Sequence, residues 1–338
     1  MLKKNSLYIL TQQADPHASL LGFFWEWIKR FSEHFDTVYV ACYDRSESVP
    51  PPDNVRLLKF SYYLIPKTWL EIVYARMFRN LKCVFVHMIP GFALAVYPVC
   101  KLLNVPIYLW YSHDHVDLKL KLAAKLSKKI FTAYEGGCRV CQEKVVVIGH
   151  GIPVAVSVNT PKLNMILCVA RISPVKHIED AVSAMPRILE FNGDLLLSVV
   201  GDIADKKYYG DLLDLCKTLD VEVNFVGKVP HEDVMRFYSM AKIMIDGNET
   251  GISKSALEAM SVGTPVIVKS KSFEALFGDD FEHCYYSTPE ELSQKVVNLL
   301  SNQALYERLS EQSKNVVSTK YGLSSAVNKV LEAMKNAQ

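Results

Sequence analysis

The chain has 338 residues, more than one ordinary α/β core holds, and suits two domains of about 150 residues each. Half of the residues are hydrophobic and 22% are charged, a globular composition that excludes a low-complexity chain. The formal net charge of +2 gives no reason to expect nucleic acid, and no run of eighteen apolar residues offers a membrane span.

The charge is uneven, with +7 over residues 1–159 and −5 over residues 160–338. A basic first half suits an anionic partner, such as a lipid surface or a charged glycan, as well as it suits ordinary solvated surface. The opening MLKKNSLYILTQQ turns polar too early for a signal peptide, so a cytoplasmic location is expected. The eight cysteines lie mostly in apolar segments, where thiols act as small core residues. Cys138 and Cys141 have the spacing of half a zinc site, but no second pair matches them, and no metal is expected.

In chain order, residues 7–11 read as a short apolar strand, 20–31 as an aromatic helix and 37–42 as a second strand. A polar, proline-rich connection covers 46–54. Further strands are expected at 83–87, 106–111, 130–133 and 145–148, with helices between several of them. Residues 153–164 are loop-like, and a second domain then begins with the strand MILCVA. It continues as a helix from Ile178, strands at 195–200 and 221–226, helices at 211–219 and 231–240, and strands at 243–246 and 265–269. This alternation predicts two mostly parallel sheets with covering helices, joined by one loop and facing a central cleft. Ligands in such folds collect at the carboxyl ends of strands. No GxGxxG follows the first strand, which argues against an ordinary NAD domain.

Two stretches of the second domain carry candidate chemistry. In ARISPVKHIED, Arg171 follows a strand directly, and a Ser173-Pro174 turn can fold Lys176 back toward it. A planar guanidinium and a compact ammonium together can neutralise a diphosphate leaving group. On spacing alone, a solvated loop explains the same residues. In TGISKSALEAMSVGTPV, the N–H groups of Gly251, Ile252 and Ser253 fall at a helix start, where phosphate or sugar oxygens can dock. Lys254 and Glu258, four residues apart, share one helix face. They read either as a surface salt bridge or as a carboxylate turned to a ribose diol.

Taken together, VARISPVKHIEDAVSAM, VVGDIAD, VNFVGKVPHEDVMRFYSMAKIMI and TGISKSALEAMSVGTPVIV resemble the donor domain of retaining glycosyltransferases of family 4, the group 1 transferases of GT-B fold. The resemblance covers residues 163–270 well and residues 1–155 only in outline. It implies two Rossmann-like domains: an acceptor-side domain over 1–155 and a nucleotide-sugar domain over 160–320. It also implies a last helix within 321–338 that crosses back to the first domain. Arg171 and Lys176 resemble the pair that holds the donor diphosphate. Glu258 resembles the second glutamate of an E-x7-E motif that binds the nucleotide ribose, and Gly251, Ile252 and Ser253 match its backbone contacts. Gly227 and Val229 lie in the segment that frames the base. Thr250 stands where the motif has its first glutamate, with Glu249 beside it, which puts the donor sugar in question more than the activity.

In the first half, His113 of YSHDH resembles the family's histidine near the donor sugar, and Asp114 is read as orienting it or capping the next helix. His87 is a weaker candidate for the acceptor side. Gly149 to Pro153 resembles the family's turn at the domain junction, with His150 for the usual asparagine. The stretch 117–131, DLKLKLAAKLSKKIF, sets five lysines among leucines and suits peripheral contact with an anionic membrane. The resemblance thus implies a retaining, metal-independent hexosyltransferase. It would move a sugar from a nucleoside diphosphate sugar to a glycan or lipid-linked acceptor in polysaccharide, lipopolysaccharide or glycolipid synthesis. The rival readings are a phosphorylase or epimerase on the same fold, and a non-catalytic binder of nucleotide sugar or glycan.

Overall fold

The structure is a computed structural model. It describes residues 5–18, 21–46, 48–113, 115–153 and 160–336. The expectation for Asp114 lies outside the described residues. The chain divides into two compact units, one of residues 1–153 with 320–338 and the other of residues 154–319.

The first unit carries a seven-stranded sheet in which every pairing is parallel. Its strands are β1 (Ser6–Ala14), β2 (Thr37–Arg45), β3 (Val55–Lys59), β4 (Leu81–His87), β5 (Ile107–Trp110), β6 (Lys129–Thr132) and β7 (Val145–Val147). Their spatial order is β3-β2-β1-β4-β5-β6-β7. Residues on β1 alternate between two cores, as the period of two requires. Leu7 and Ile9 enter one core together with Phe24, Trp27 and Phe31 of helix α1 (Phe24–Ser32). Tyr8 and Leu10 enter the other, under α2 (Ile65–Phe78), α3 (Pro90–Leu102) and α4 (Leu118–Leu126). A sheet buried on both faces needs a second helix beside α1, and the end of the chain supplies it.

The second unit has five parallel strands: β8 (Met165–Val169), β9 (Leu196–Val200), β10 (Val223–Gly227), β11 (Ile243–Asp246) and β12 (Val266–Val268), in the order β10-β9-β8-β11-β12. Its helices include α5 (Ile178–Phe191), α6 (Lys206–Leu219), α7 (His231–Met240) and α8 (Lys254–Ser261). After β12 come two single-turn helices, α9 (Glu274–Phe277) and α10 (Phe281–Cys284), then α11 (Pro289–Ser301) and α12 (Gln303–Val316). The last helix, α13 (Leu323–Lys335), belongs to the first unit. It places Ala326, Val327, Val330 and Met334 in the α1 core, and the Leu323 N–H donates to the Ile152 carbonyl.

Three boundaries differ from the sequence expectation. The first strand runs on through Gln12 and Gln13 to Ala14, because β2 continues beside it as far as Arg45. The edge strand β3 carries no apolar alternation strong enough to read, since one partner on one side suffices to hold it. Helix α6 begins at Lys206 rather than 211, where the Asp205 side chain caps the Tyr208 N–H. The junction turn has left-handed glycines at 149 and 151, and a Cβ on Gly151 would lie 2.2 Å from the Trp27 ring.

All four tryptophans of the sequence, at 25, 27, 69 and 110, lie in the first unit, so their fluorescence reports on it alone. Met334→Ala is expected to destabilise that unit by about 2–5 kcal/mol. Denaturant unfolding followed by tryptophan emission should show the loss, while a probe placed in residues 160–319 should not.

Candidate functional site

In the second unit, β8 and β11 are neighbours, but the chain leaves β8 toward β9 on one side and leaves β11 toward β12 on the other. This is a topological switch point, where the loops after two adjacent strands diverge and leave a crevice at their carboxyl ends. The loop after β8 carries Arg171 and Lys176, and the loop after β11 carries residues 247–253. The two loops touch: a Cβ on Gly247 would lie 2.3 Å from the Lys176 carbonyl oxygen, so only glycine fits there.

Asp246, the last residue of β11, organises both loops. Its carboxylate is 4% exposed. One oxygen accepts the Ser253 hydroxyl at 2.6 Å, and the other accepts the Asn248 side-chain amide at 2.5 Å. Asn248 in turn accepts from the Lys176 ammonium at 2.5 Å. Ser253 uses the same Oγ to accept the Ala256 N–H at 3.1 Å and so caps α8. One carboxylate thus ties the helix start to the cation opposite. Burial raises the Asp246 pKa, while hydrogen bonds from Ser253 and Asn248 and the charge of Lys176 pull it back.

Lys176 is half-buried, and desolvation lowers its pKa; Asp246 opposes this and Arg171 adds to it. Both cations stand on the same loop after β8. Arg171 itself is exposed. Thr250 is exposed, Gly251 adopts a left-handed φ of 72°, and Ile252 is buried, so only its backbone can meet a ligand. Gly227 ends β10 at the same sheet edge, with open space where a Cβ would stand, and Val229 is half-buried just beyond it.

Glu258 is not part of a surface salt bridge. Its side chain is 6% exposed, with Lys254 at 3.4 Å on one oxygen and the Tyr238 hydroxyl donating at 3.2 Å to the other. Burial pushes the Lys254 pKa down, and Glu258 pushes it up. Lys254 therefore stands one turn before Glu258 because a carboxylate buried there requires a counter-charge.

Glu249 turns away from the α8 start. It lies 3.5 Å from the Lys269 ammonium and 3.3 Å from His177 Nε2. Lys269 also binds Asp180 at 2.9 Å, and His177 Nδ1 lies 3.1 Å from Glu179. His177, Glu179 and Asp180 bring three ligand-type atoms within 4.8 Å of one another, but the Lys269 ammonium already serves Asp180 as its cation.

In the first unit, a cavity of about 400 Å³ opens past the ends of β4 and β5, lined by Tyr62, Met88, Tyr111, His113, His115 and Lys119 among others. His113 is exposed there, and its Nδ1 accepts the His115 backbone N–H at 2.9 Å. The neutral ring therefore carries its proton on Nε2 and offers a donor. Tyr111 fixes the turn by donating to the His115 carbonyl at 2.7 Å. His87 is 1% exposed, stacked 3.8 Å from the Phe24 ring and bonded to Thr11 at 3.0 Å. It is a core residue.

Sequence reasoning missed Asp246, Asn248 and Tyr238. A polar Asp-Gly-Asn at a strand end is a visible signal, but its partners lie in other loops.

Residues 155–316 match the family model for glycosyl transferases group 1. That span takes in most of the second unit and a little under half of the chain, and it resembles the family. The chain is 31% identical over 183 residues to an uncharacterized glycosyltransferase of Methanocaldococcus jannaschii, a match covering 51% of this chain and 45% of the relative. It is 26% identical over 156 residues to alpha-monoglucosyldiacylglycerol synthase of Acholeplasma laidlawii, covering 46% and 38%. The chain thus spans less than half the length of these curated relatives. Among solved structures, Anabaena Alr3699/HepE in complex with UDP and glucose aligns over 98% of this chain and 99% of its own, with a TM-score of 0.74 at 12% identity. At that identity the likeness carries the fold alone, and that fold is GT-B.

A lowered Lys176 pKa predicts that any anion held by Lys176 binds more weakly in alkali. Binding an anion favours the charged lysine, so affinity falls as pH rises through the free-state pKa, which lies below the ordinary 10.5. Titrating pyrophosphate between neutral pH and that value should show the decline, and Lys176→Arg should remove it.

Proposed function

We propose that the protein transfers a sugar from a nucleoside diphosphate sugar to an acceptor hydroxyl, with retention at the anomeric carbon. The observation that carries the reading is the switch-point edge, where Asp246 and Asn248 hold Lys176 against the Ser253-capped start of α8. Lys176, Arg171 and the N–H groups of residues 251–253 bind the diphosphate and stabilise the charge that develops as the anomeric C–O bond breaks. Gly227 and Val229 border the base. Glu258, fixed by Lys254 and Tyr238, accepts from the ribose diol. His113 donates from Nε2 to a sugar hydroxyl.

The new C–O bond forms on the face the diphosphate leaves, and a leaving phosphate oxygen takes the acceptor proton. No side chain need act as nucleophile, and no metal is required. Because Glu249 is engaged by Lys269 and His177, it does not take the place of a carboxylate at Thr250, and the sugar is met there by a hydroxyl and backbone. A UDP sugar is the first donor to test, since UDP occupies the aligned Anabaena protein. The acceptor is a glycan or a lipid-linked sugar at the cytoplasmic face of a membrane, touched through 117–131. The naming of one relative as a diacylglycerol glycolipid synthase supports the lipid alternative.

Ligand-observed NMR with UDP-, GDP- and ADP-sugars tests this reading. One nucleotide class is expected to bind, and Lys176→Ala should weaken it about 10- to 100-fold, the worth of one charge-assisted contact. No binding of any class would overturn the assignment.

A further inference from the structure

Helices α2, α3 and α4 form one layer over the first sheet, with Ile72, Val96 and Ala123 among the residues facing the core. The outer side of that layer is unusual. Leu70, Tyr74, Met77 and Phe78 recur on α2 at intervals of four, three and one, and they are 69%, 47%, 68% and 72% exposed. Helix α2 is thus apolar on its outer stripe as well as on its core side, although a surface helix ordinarily turns polar residues outward. Leu102 at the end of α3 is 84% exposed, and Leu118 on α4 is 71% exposed. Nine of the fifteen large apolar side chains exposed among the described residues lie between positions 62 and 122.

The charge on this segment is equally one-sided. Residues 62–130 contain ten Lys and Arg but only three Asp and Glu. Of those acids, Glu71 accepts the buried Tyr8 hydroxyl at 2.7 Å, and Asp117 caps α4 through the Leu120 N–H.

At the amino ends of β4, β5 and β6, the same layer borders a cavity of about 510 Å³. Arg76, Lys82, Lys101 and Lys128 line it, and no carboxylate does. Three helices end beside it, and their carbonyls attract cations. That attraction does not use up the four. The last carbonyls of α4 are taken by Lys144, which is not a lining residue, and Arg76 spends one of its five donors on the Leu103 carbonyl. The cavity therefore remains positive.

We propose that this helix layer docks on an anionic phospholipid surface, with a headgroup phosphate in the Arg76–Lys82–Lys101–Lys128 cavity and the α2 stripe against hydrocarbon. A cationic cavity beside exposed apolar side chains matches a surface that presents phosphate next to hydrocarbon. A soluble phosphate or a nucleic acid supplies nothing for Leu70, Met77 and Phe78 to enter. The site extends the α4 contact to α2 and α3 and lies at the strand ends opposite the His113 cavity, so docking leaves that cavity outside the headgroup site.

The test is flotation of the full chain with vesicles of phosphatidylcholine alone and with phosphatidylglycerol added. Lys101→Glu with Lys128→Glu is compared with Met77→Ser with Phe78→Ser, all at exposed positions. Binding is expected only to the anionic vesicles and should fall with salt. Each basic residue contributes roughly fivefold to partitioning, so the charge pair should lower it at least about tenfold. The serine pair should also lower it clearly. Absence of binding to anionic vesicles, equal binding to neutral ones, or no effect of either pair would overturn the proposal. Loss in the charge pair alone would also overturn it, pointing to a pocket for soluble anions. Nucleotide binding, measured separately, is untouched by any of these outcomes.

Discussion

The second unit depends on one buried carboxylate. Asp246 ends a central strand at the point where two loops diverge, and burial there makes its charge costly. It is kept by donors from both directions: the Ser253 hydroxyl from the start of α8, and Asn248, which is bonded to Lys176 from the facing loop. Satisfying this carboxylate therefore fixes the distance between a helix start and a lysine. Gly247 permits the approach, because any side chain would strike the Lys176 backbone. Glu258 repeats the logic one layer deeper, with Lys254 and Tyr238 as its partners. The polar residues of the crevice hold one another in place through hydrogen bonds of their own, the preorganisation on which the proposed diphosphate binding rests.

The first unit depends on a different constraint. Seven parallel strands expose two apolar faces, and α1 alone does not cover one of them. The chain returns after α12 to lay α13 beside α1, so residues far apart in sequence share one core. The other face is covered by α2, α3 and α4, whose outer side is itself apolar and basic. The layer that completes the core also presents Leu70, Met77, Phe78, Leu102 and Leu118, each more than two-thirds exposed.

Much of this was legible in the sequence. Strand and helix alternation marked both sheets, because buried parallel strands are short apolar runs that periodicity detects. Arg171, Lys176 and the 250–258 stretch stood out through a family resemblance that the family model supports for residues 155–316. Asp246 was read only as the end of a strand. Its importance comes from Ser253 and Asn248 turning back onto it, a matter of loop geometry that no local pattern encodes. The short edge strand β3 escaped for a related reason, since its pairing with β2 lies outside its own five residues. Glu258 could be read as a surface pair or as a carboxylate turned to a ribose; burial removes the surface pair, since its side chain is 6% exposed against Lys254 and Tyr238.

The central claim is that Asp246 acts on ligand binding through Lys176. A double-mutant cycle of Asp246→Ala and Lys176→Ala on nucleoside diphosphate affinity tests it most directly. The account predicts non-additivity, with the double variant losing clearly less than the sum of the two single losses, and the part of the Asp246 loss that survives coming through Ser253 at the α8 start. Additive losses, with each substitution weakening binding independently of the other, would contradict it.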